Sequence, residues 1–350
     1  MNHIPPLSPR LPRHLSPVRR RVLTTAQLRG QGVTVADADE RCRPGGTWQR
    51  LLPGVFLLHP GPPTSEERLH AALLYAARTP AAPAAARIPL QPSAEEPHAA
   101  QPYADALVTG LAALALHGFS SVGPLLSLDT IDVLVPRLRR LRSTGGVRIV
   151  RTPSLPAPAF VTGVPVAAVP RALADAVAEL TDADAVRALL TEAVRGGHCD
   201  PASVVKELTT ARLLGRPYVV DAVDSLKAEG RAIAETHLYR MVYEHGLPDP
   251  VWNVDLRLPG GPRLGGVDAY WPEQAVAVEL DTRTPRQRED ATGSGYARKR
   301  EHLERLGITV VHITPAKLRE AMEQQAMVVR TALMASTDRD PAAYVVVRPR

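Results

Sequence analysis

Three carboxylates inside two short apolar strands constrain this chain more than any other feature of its sequence. The segment from Gly265 to Asp281, GGVDAYWPEQAVAVELD, predicts two strands joined by a turn at Pro272–Glu273. Asp268, Glu279 and Asp281 fall within these strands. Acidic residues are poor strand formers and are costly to bury without a partner, so their presence here needs a specific explanation.

Side-chain alternation predicts the faces on which these carboxylates lie. Successive side chains of a strand point to opposite faces of its sheet. One face of the second strand is expected to carry Val276, Val278 and Leu280, and the other Ala275, Ala277, Glu279 and Asp281. Pairing the two strands about the turn sets Asp268 opposite residue 277. Asp268 and Glu279 are then diagonal neighbours within reach of one cation.

Two interpretations of these carboxylates remain open. Asp268 and Glu279 are candidate ligands for Mg²⁺ or Mn²⁺, because hard cations prefer oxygen ligands. Such an ion can activate water and stabilise charge on a phosphate. Alternatively, the acids lie on the solvated outer face of an edge strand, where they contribute only to solubility.

The last 120 residues predict one continuous order of elements, α-β-β-β-α-β-α. Thr314 is expected to cap the last helix, with Pro315 at its first position and Gly307 ending the helix before it. The expected helices cover about 231–245, 296–306 and 315–336, and the expected strands cover 251–258, 264–271, 275–281 and 308–313.

This order resembles the PD-(D/E)xK nuclease superfamily, in particular its very-short-patch-repair-like endonuclease domains. The matching residues are Glu235 on a helix, Asp268 after a glycine pair, and Glu279-Leu280-Asp281 on a strand. The resemblance covers residues 230–335. It implies that Glu235, Asp268, Glu279 and Asp281 are the catalytic candidates of a metal centre.

The match departs from the superfamily at two places that bear on activity. Asp281 stands where the superfamily has a lysine, and no histidine follows it closely, where one would serve as a general base. His302 is expected on a helix, and His312 on an apolar strand is interpreted as a core histidine. The resemblance therefore predicts the fold, whereas catalysis stays an open question.

The front of the chain predicts a winged helix-turn-helix. Two short helices, over 26–30 and 35–43, precede a hairpin in TWQRLLPGVFLL with its turn at Pro53–Gly54. A further helix, from Thr64 to Arg78, opens with a capping box.

The front half also resembles AbiEi-type antitoxins. The resemblance rests on LTTAQLRGQGV, on the pattern W-x-R-L-x-P-G-V-F from Trp48 to Phe56, and on GVPVAAVPRALAD from Gly163 to Asp175. It implies a winged helix followed by a mixed α/β domain. It further implies a DNA-binding repressor of a toxin–antitoxin operon, with a cognate toxin as a partner protein.

Arginines supply the expected DNA contacts. The DNA-binding candidates are Arg19, Arg20, Arg21, Gln49, Arg50, Arg137, Arg139, Arg140 and Arg142. The predicted recognition helix carries Asp37, Asp39 and Glu40, and acidic side chains near DNA phosphates lower the affinity. A winged helix that contacts protein instead of DNA therefore stays an alternative, and the run from Arg137 to Arg142 is either a phosphate patch or a solvated hairpin loop.

Composition narrows the class of protein. The formal net charge of +6 and a pI of about 9.6 favour a polyanionic partner. Only four of the 42 basic residues are lysines, a bias that GC-rich coding also produces. No run of 18 apolar residues predicts a membrane span, the N-terminus has no apolar signal region, and Cys42 and Cys199 form no paired motif. A cytoplasmic protein is expected.

The sequence thus predicts a multidomain α/β protein. The expected parts are a disordered basic arm (1–20), a winged helix-turn-helix (21–78), a flexible insertion (79–103), an antitoxin-like α/β domain (104–229), a restriction-endonuclease-like αβββαβ domain (230–336) and a tail (337–350). The expected function is DNA binding as an AbiEi-like antitoxin or transcriptional regulator. The alternatives are a Mg²⁺-dependent DNA endonuclease and an interaction protein that neutralises a toxin.

Overall fold

The computed structural model describes residues 15–78, 103, 105–282, 295–336 and 345–350. Most of the expected arm, insertion and tail lie outside these residues. The chain divides into two units, Met1–Thr181 and Asp182–Arg350. A boundary was expected at 229/230, but one helix runs through that position.

The first unit begins with short helices and a three-stranded antiparallel sheet of order β1-β3-β2. Its elements are α1 (Leu15–Arg21), β1 (Val22–Thr24), α2 (Thr25–Gly30), α3 (Val35–Arg41), β2 (Gln49–Leu52), β3 (Val55–Leu57) and α4 (Ser65–Ala77). Leu23, Leu28, Ala38 and Phe56 form a buried cluster that holds α2 and α3 against the sheet. The helices and the hairpin expected from the sequence are therefore present.

Threonine caps fix three of these helices. In each, a threonine hydroxyl accepts the amide of the third helical residue, whose side chain accepts the amide of the threonine in return. The three pairs are Thr24–Gln27, Thr34–Asp37 and Thr64–Glu67.

Helix α1 corrects the expectation of a disordered arm over residues 1–20, because residues 15–20 are helical. Two features hold α1 in place. Val18 is buried, and Arg21 of α1 forms an ion pair at 3.7 Å with the buried carboxylate of Glu67 on α4. The sequence shows neither contact, since Arg21 and Glu67 are far apart along the chain.

A five-stranded mixed sheet completes the first unit, in the order β6-β5-β4-β8-β7. Its elements are β4 (Leu107–Thr109), α5 (Gly110–Leu116), β5 (Ile131–Pro136), β6 (Val147–Thr152), β7 (Ala159–Val161), β8 (Val164–Val166) and α6 (Val169–Glu179). Strands β5 and β6 run parallel, so residues 137–146 do not form the hairpin loop that the sequence suggested. The apolar sequence of residues 105–119, DALVTGLAALALHGF, predicts one helix, but the structure has a strand followed by a helix, because Gly110 interrupts the regular backbone with φ +61°.

The second unit packs helices on both faces of another five-stranded sheet, of order β12-β11-β10-β9-β13. The first helices are α7 (Ala183–Arg195), α8 (Pro201–Thr210) and α9 (Pro217–Glu244). The sheet and its remaining helices are β9 (Val251–Arg257), β10 (Arg263–Trp271), β11 (Val276–Leu280), α10 (Gly295–Arg305), β12 (Thr309–Ile313), α11 (Pro315–Glu320), α12 (Met322–Ala335) and β13 (Val346–Pro349). Strands β11 and β12 are parallel and the other neighbours are antiparallel.

The two faces of β11 follow the predicted alternation. Val276, Val278 and Leu280 pack in one core with residues of α9 and α12, whereas Ala277 lies in the other core with Leu303 of α10. The expected order α-β-β-β-α-β-α is present, although the last helix is interrupted at Ala321. None of the described helices is long and apolar enough to cross a membrane.

Strand pairing corrects two expectations about the carboxylates. Residue 277 pairs with Tyr270 and not with Asp268, so the register differs from the one expected about the turn. Strand β11 lies between β10 and β12 and is not an edge strand. Asp268, Glu279 and Asp281 are only 5%, 5% and 7% exposed, which makes the solvated outer face wrong.

Candidate functional site

Asp268 and Glu279 form the centre of a buried polar cluster in the second unit, which we call the carboxylate centre. Asp268 Oδ1 forms an ion pair with Arg231 of α9, and Asp268 Oδ2 accepts the amide of Leu280 at 2.7 Å. This second bond ties β10 to the end of β11. Asp268 is therefore held by a charged donor and a backbone donor at once, as a buried carboxylate requires.

Glu279 has its own cation, Lys299 of α10. The Lys299 ammonium contacts Glu279 Oε1 and also donates to Gly266 O at 2.6 Å. On the other side, His312 of β12 pairs with Glu279 across the sheet and sets its Nδ1 3.5 Å from Glu279 Oε2. His312, interpreted from the sequence as a core histidine, thus lies beside the carboxylate centre and is partly buried.

Glu235 and Asp281 stand at the margin of the carboxylate centre. Glu235 Oε1 accepts Arg231 Nε at 2.9 Å, so one guanidinium joins Glu235 to Asp268. Asp281 is buried at the end of β11, where its amide donates to Ile313 O at 2.8 Å. Arg231 therefore joins Glu235 to Asp268, whereas Glu279 pairs separately with Lys299.

The glycine pair before Asp268 makes room for these cations. Gly265 has φ +144°, and a Cβ there would lie 2.5 Å from Lys299 Cε. A Cβ on Gly266 would overlap the Arg350 guanidinium, whose Nη1 is 3.9 Å from Asp268 Oδ1. Side chains at 265 and 266 would thus displace Lys299 and Arg350 from these positions.

The carboxylate centre does not fit a preformed Mg²⁺ or Mn²⁺ site. Its oxygen donors suit such an ion chemically. However, both Asp268 oxygens and Glu279 Oε1 already accept from nitrogen donors. No group of three acidic, histidine or cysteine side chains in the described ranges is arranged to hold a metal. In this arrangement Arg231 and Lys299 supply the positive charge that the sequence suggested a metal would supply.

Sequence reasoning missed Arg231, Lys299 and Arg350. Arg231 and Glu235 show a signal, since i,i+4 spacing puts them on one helix face. Lys299 is one of only four lysines in the chain. Its contact with Glu279 spans 20 residues, however, and depends on how α10 packs on the sheet.

The predicted DNA contacts of the first unit fall into three segments, of which α1 and residues 137–142 pack against α4. In α1, Arg19 and Arg20 are exposed, and Arg21 pairs with Glu67 of α4. Arg19 also lies over the Tyr103 ring, 5.9 Å from its centroid.

The second basic segment, residues 137–142, meets the other end of α4. Arg142 O accepts Tyr75 Oη at 2.8 Å, and Arg139 Nη1 donates to Arg78 O at 3.1 Å. Arg137, Arg140 and Arg142 are exposed, whereas Arg139 is half-buried. This segment therefore presents three of its four arginines to solvent from a docked loop.

Gln49 and Arg50 are engaged within the first unit. Gln49 Nε2 donates to His59 O at 3.0 Å and to Gly61 O at 2.6 Å, while Arg50 forms an ion pair with Asp39 of α3. Asp37 serves the N-terminal cap of α3, and the Thr34 hydroxyl that it accepts lowers its pKa. Two of the three acids on α3 thus have roles within the fold.

The polar residues of the segment Gly163–Asp175 hold α6 on the mixed sheet. Asp175 accepts the buried Thr109 hydroxyl at 2.6 Å and pairs with Arg171 at 3.0 Å. Beside them, Arg148 binds Asp132 through two hydrogen bonds, and burial raises the pKa of Asp132 in spite of that partner. These contacts give the motif a structural role.

No protein-family model and no curated protein matches this chain. The residues and their geometry therefore carry the functional interpretation.

Proposed function

We propose that this chain is a DNA-binding antitoxin or transcriptional regulator of the AbiEi type. Its first unit would bind the phosphate backbone and its second unit would be a restriction-endonuclease-like module. The observation that carries the proposal is the partition of charge. Residues 1–181 contain 19 basic and 12 acidic residues, a net +7, whereas residues 182–350 contain 23 and 24, a net −1. The basic excess of the chain thus belongs to the first unit.

Exposed arginines on α1 and on residues 137–142, the two segments that pack against α4, support DNA binding by the first unit. Arg19 and Arg20 on α1, and Arg137, Arg140 and Arg142 on the loop, are exposed cations on segments that hydrogen bonds or ion pairs fix in place. Ordered arginines bind phosphates at less entropic cost than a mobile arm. The two short helices and the hairpin of residues 25–57 are consistent with a winged helix-turn-helix.

The acidic outer surface of α3 favours backbone binding over base reading. Asp39 and Glu40 lie on the exposed part of α3, and Arg50 and Arg43 pair with them. Such a helix offers few donors for base edges in the major groove. We therefore expect modest sequence discrimination and a large electrostatic share of the affinity.

The second unit supports the restriction-endonuclease-like part of the proposal. It has the order α-β-β-β-α-β, a mixed sheet with helices on both faces, and acidic residues on the second and third strands. A toxin protein remains the proposed partner of a regulator of this type.

The proposal is tested by fluorescence anisotropy of the full chain on a labelled duplex over a range of salt. We expect log Kd to depend linearly on log salt, since phosphate contacts release counterions. Arg20→Ala and Arg140→Ala should each weaken binding and lower the slope by about 1. Arg187→Ala, an exposed arginine of α7, is the matched control and should change neither. A slope near zero, or equal losses in all three variants, would refute the proposal.

Cleavage of DNA is the second candidate function. The observation that favours it is the position of Lys299 beside Glu279. Two carboxylates on neighbouring strands with a lysine beside them are a set of groups that can engage a phosphodiester. The test is incubation of supercoiled plasmid with Mg²⁺, with an EDTA control and the Asp268→Asn variant. Nicking that requires both Mg²⁺ and Asp268 would support the endonuclease, and intact plasmid would leave the unit as a binding module.

A further inference from the structure

An exposed aromatic surface lies on the second unit beside the carboxylate centre. Tyr243 of α9 is 87% exposed, and Tyr239, one turn earlier, is 40% exposed. The Tyr239 ring lies against Trp252 of β9, with centroids 4.2 Å apart and planes at 57°. Asn253 Nδ2 fixes this arrangement by donating to Tyr239 Oη at 3.1 Å. We call Tyr239, Tyr243 and Trp252 the aromatic platform.

The aromatic platform continues the carboxylate centre on two elements. On α9, Arg231, Glu235, Tyr239 and Tyr243 repeat every fourth residue, so each is the i,i+4 neighbour of the next, about 6 Å further along the helix. On the sheet, Trp252 pairs with Ala269, the residue after Asp268. The aromatic platform therefore neighbours the carboxylate centre along α9, and through Trp252, which is half-buried, along the β9–β10 pair.

Arg350, a cation beside the aromatic platform, indicates the chemistry of its ligand. The Arg350 amide donates to Asn253 O at 2.9 Å, which places this arginine at the edge of the platform. The Arg350 side chain is 39% exposed, and its ion pairs with Asp255 and Asp268 are long, at 3.8 and 3.9 Å. Rings for stacking next to an arginine for a phosphate match a nucleotide, since single-strand binding sites combine these two features.

We propose that the aromatic platform stacks unpaired bases of single-stranded DNA, with Arg350 beside their phosphates. This inference rests on the proposed DNA-binding function and specifies the form of DNA that the second unit takes. Stacking on Tyr and Trp rings tolerates any base, because every base has a π face. The preorganised Tyr239–Trp252 pair would provide the fixed part of the surface, and Tyr243 the exposed part.

The test measures binding of the full chain to a labelled oligothymidylate of about 12 nucleotides, a length within the usual range for one binding site. Tyr243→Leu removes the ring, and its affinity should fall about 5-fold to 150-fold, the effect of one lost base–aromatic stack. Tyr243→Phe keeps the ring and should bind like the wild type. Met334→Ala, an exposed apolar side chain on α12, is the control and should have no effect.

Each alternative result is decisive. Unchanged affinity in Tyr243→Leu, or an equal loss in Met334→Ala, would overturn the platform. Binding to duplex without binding to oligothymidylate would overturn the platform and leave the proposed function intact. A protein that binds neither duplex nor oligothymidylate would overturn both the platform and the proposed function. A dimer that Tyr243→Leu converts to a monomer, with oligothymidylate binding unchanged, would assign the surface to self-association.

Discussion

Replacing Asp268 by asparagine tests whether cationic side chains or a bound metal ion compensate the charge of the carboxylate centre. If the buried carboxylates repelled one another, removing one charge would stabilise the protein whenever metal is absent. In the structure, however, Asp268 accepts from Arg231 and from the Leu280 amide. Asparagine keeps the shape and can still accept the amide, but it loses the charge that pairs with Arg231.

We expect Asp268→Asn to destabilise the second unit by about 2 kcal/mol in EDTA. Hydrogen bonds to charged groups contribute about 1.5–3 kcal/mol, and the 39% exposure of Arg231 argues against a larger figure. With a urea dependence of about 2 kcal/mol per M, the midpoint should fall by about 1 M. Tryptophan fluorescence can follow the transition, since Trp252 and Trp271 both belong to this unit.

Arg231→Met provides the partner for a double-mutant cycle. If the ion pair is the interaction lost, the double variant should be more stable than the sum of the single losses predicts, by about 0.5–3 kcal/mol. An Asp268→Asn protein that is as stable as the wild type in EDTA, or more stable, would refute this reasoning. It would show that Arg231 does not compensate the buried charge.

Three further predictions concern stability. Lys299→Met should cost about 3 kcal/mol in urea unfolding, because it leaves Glu279 buried without its cation; a loss below about 1 kcal/mol would contradict that role. Gly265→Ala should lower the free energy of unfolding by about 1–3 kcal/mol because of its φ of +144°. Gly266→Ala should lower it by less than about 1 kcal/mol, because the Arg350 guanidinium can move. A larger loss in Gly266→Ala than in Gly265→Ala would contradict this interpretation. Burial lowers the pKa of His70 from its ordinary 6.5 to about 4, so the unfolded state binds more protons in this window and stability should fall as the pH drops from 6.5 to 4. His70→Gln should flatten that dependence in unfolding measured against pH, and an unchanged slope would exclude His70 as its source.

The sequence predicts local structure where the determinants are local. Alternation in β11 predicts which residues enter each core, and Val276 and Ala277 indeed lie in different cores. The threonine caps at Thr34, Thr64 and Thr314 follow from short-range pairing of a hydroxyl with an amide. These features depend on residues within a few positions of each other.

The partners of the carboxylates could not be predicted in the same way. The contact between Arg231 and Asp268 joins residues 37 positions apart, and it depends on α9 packing across the sheet. Periodicity shows that a face is buried but does not show which side chain from another element meets it. The sequence therefore located Asp268 and Glu279 correctly in strands, but assigned their charge compensation to a metal and not to Arg231 and Lys299.

A similar limit applies to residues 107–116. Their uniform apolar character predicts a helix, because an apolar run alone does not separate a buried strand from a buried helix. The central position of β4 in its sheet and the left-handed conformation at Gly110 divide the run into a strand and a helix. The glycine was the one local signal of that break.

Hydrogen exchange of the full chain with and without duplex DNA tests the central claim most directly. The account predicts that DNA slows exchange of exposed backbone amides in α1 and in the loop of residues 137–146, since these segments carry the exposed arginines of the basic unit. The protection should disappear at high salt. Protection confined to residues 182–350, or none at a DNA concentration that saturates binding, would contradict the account.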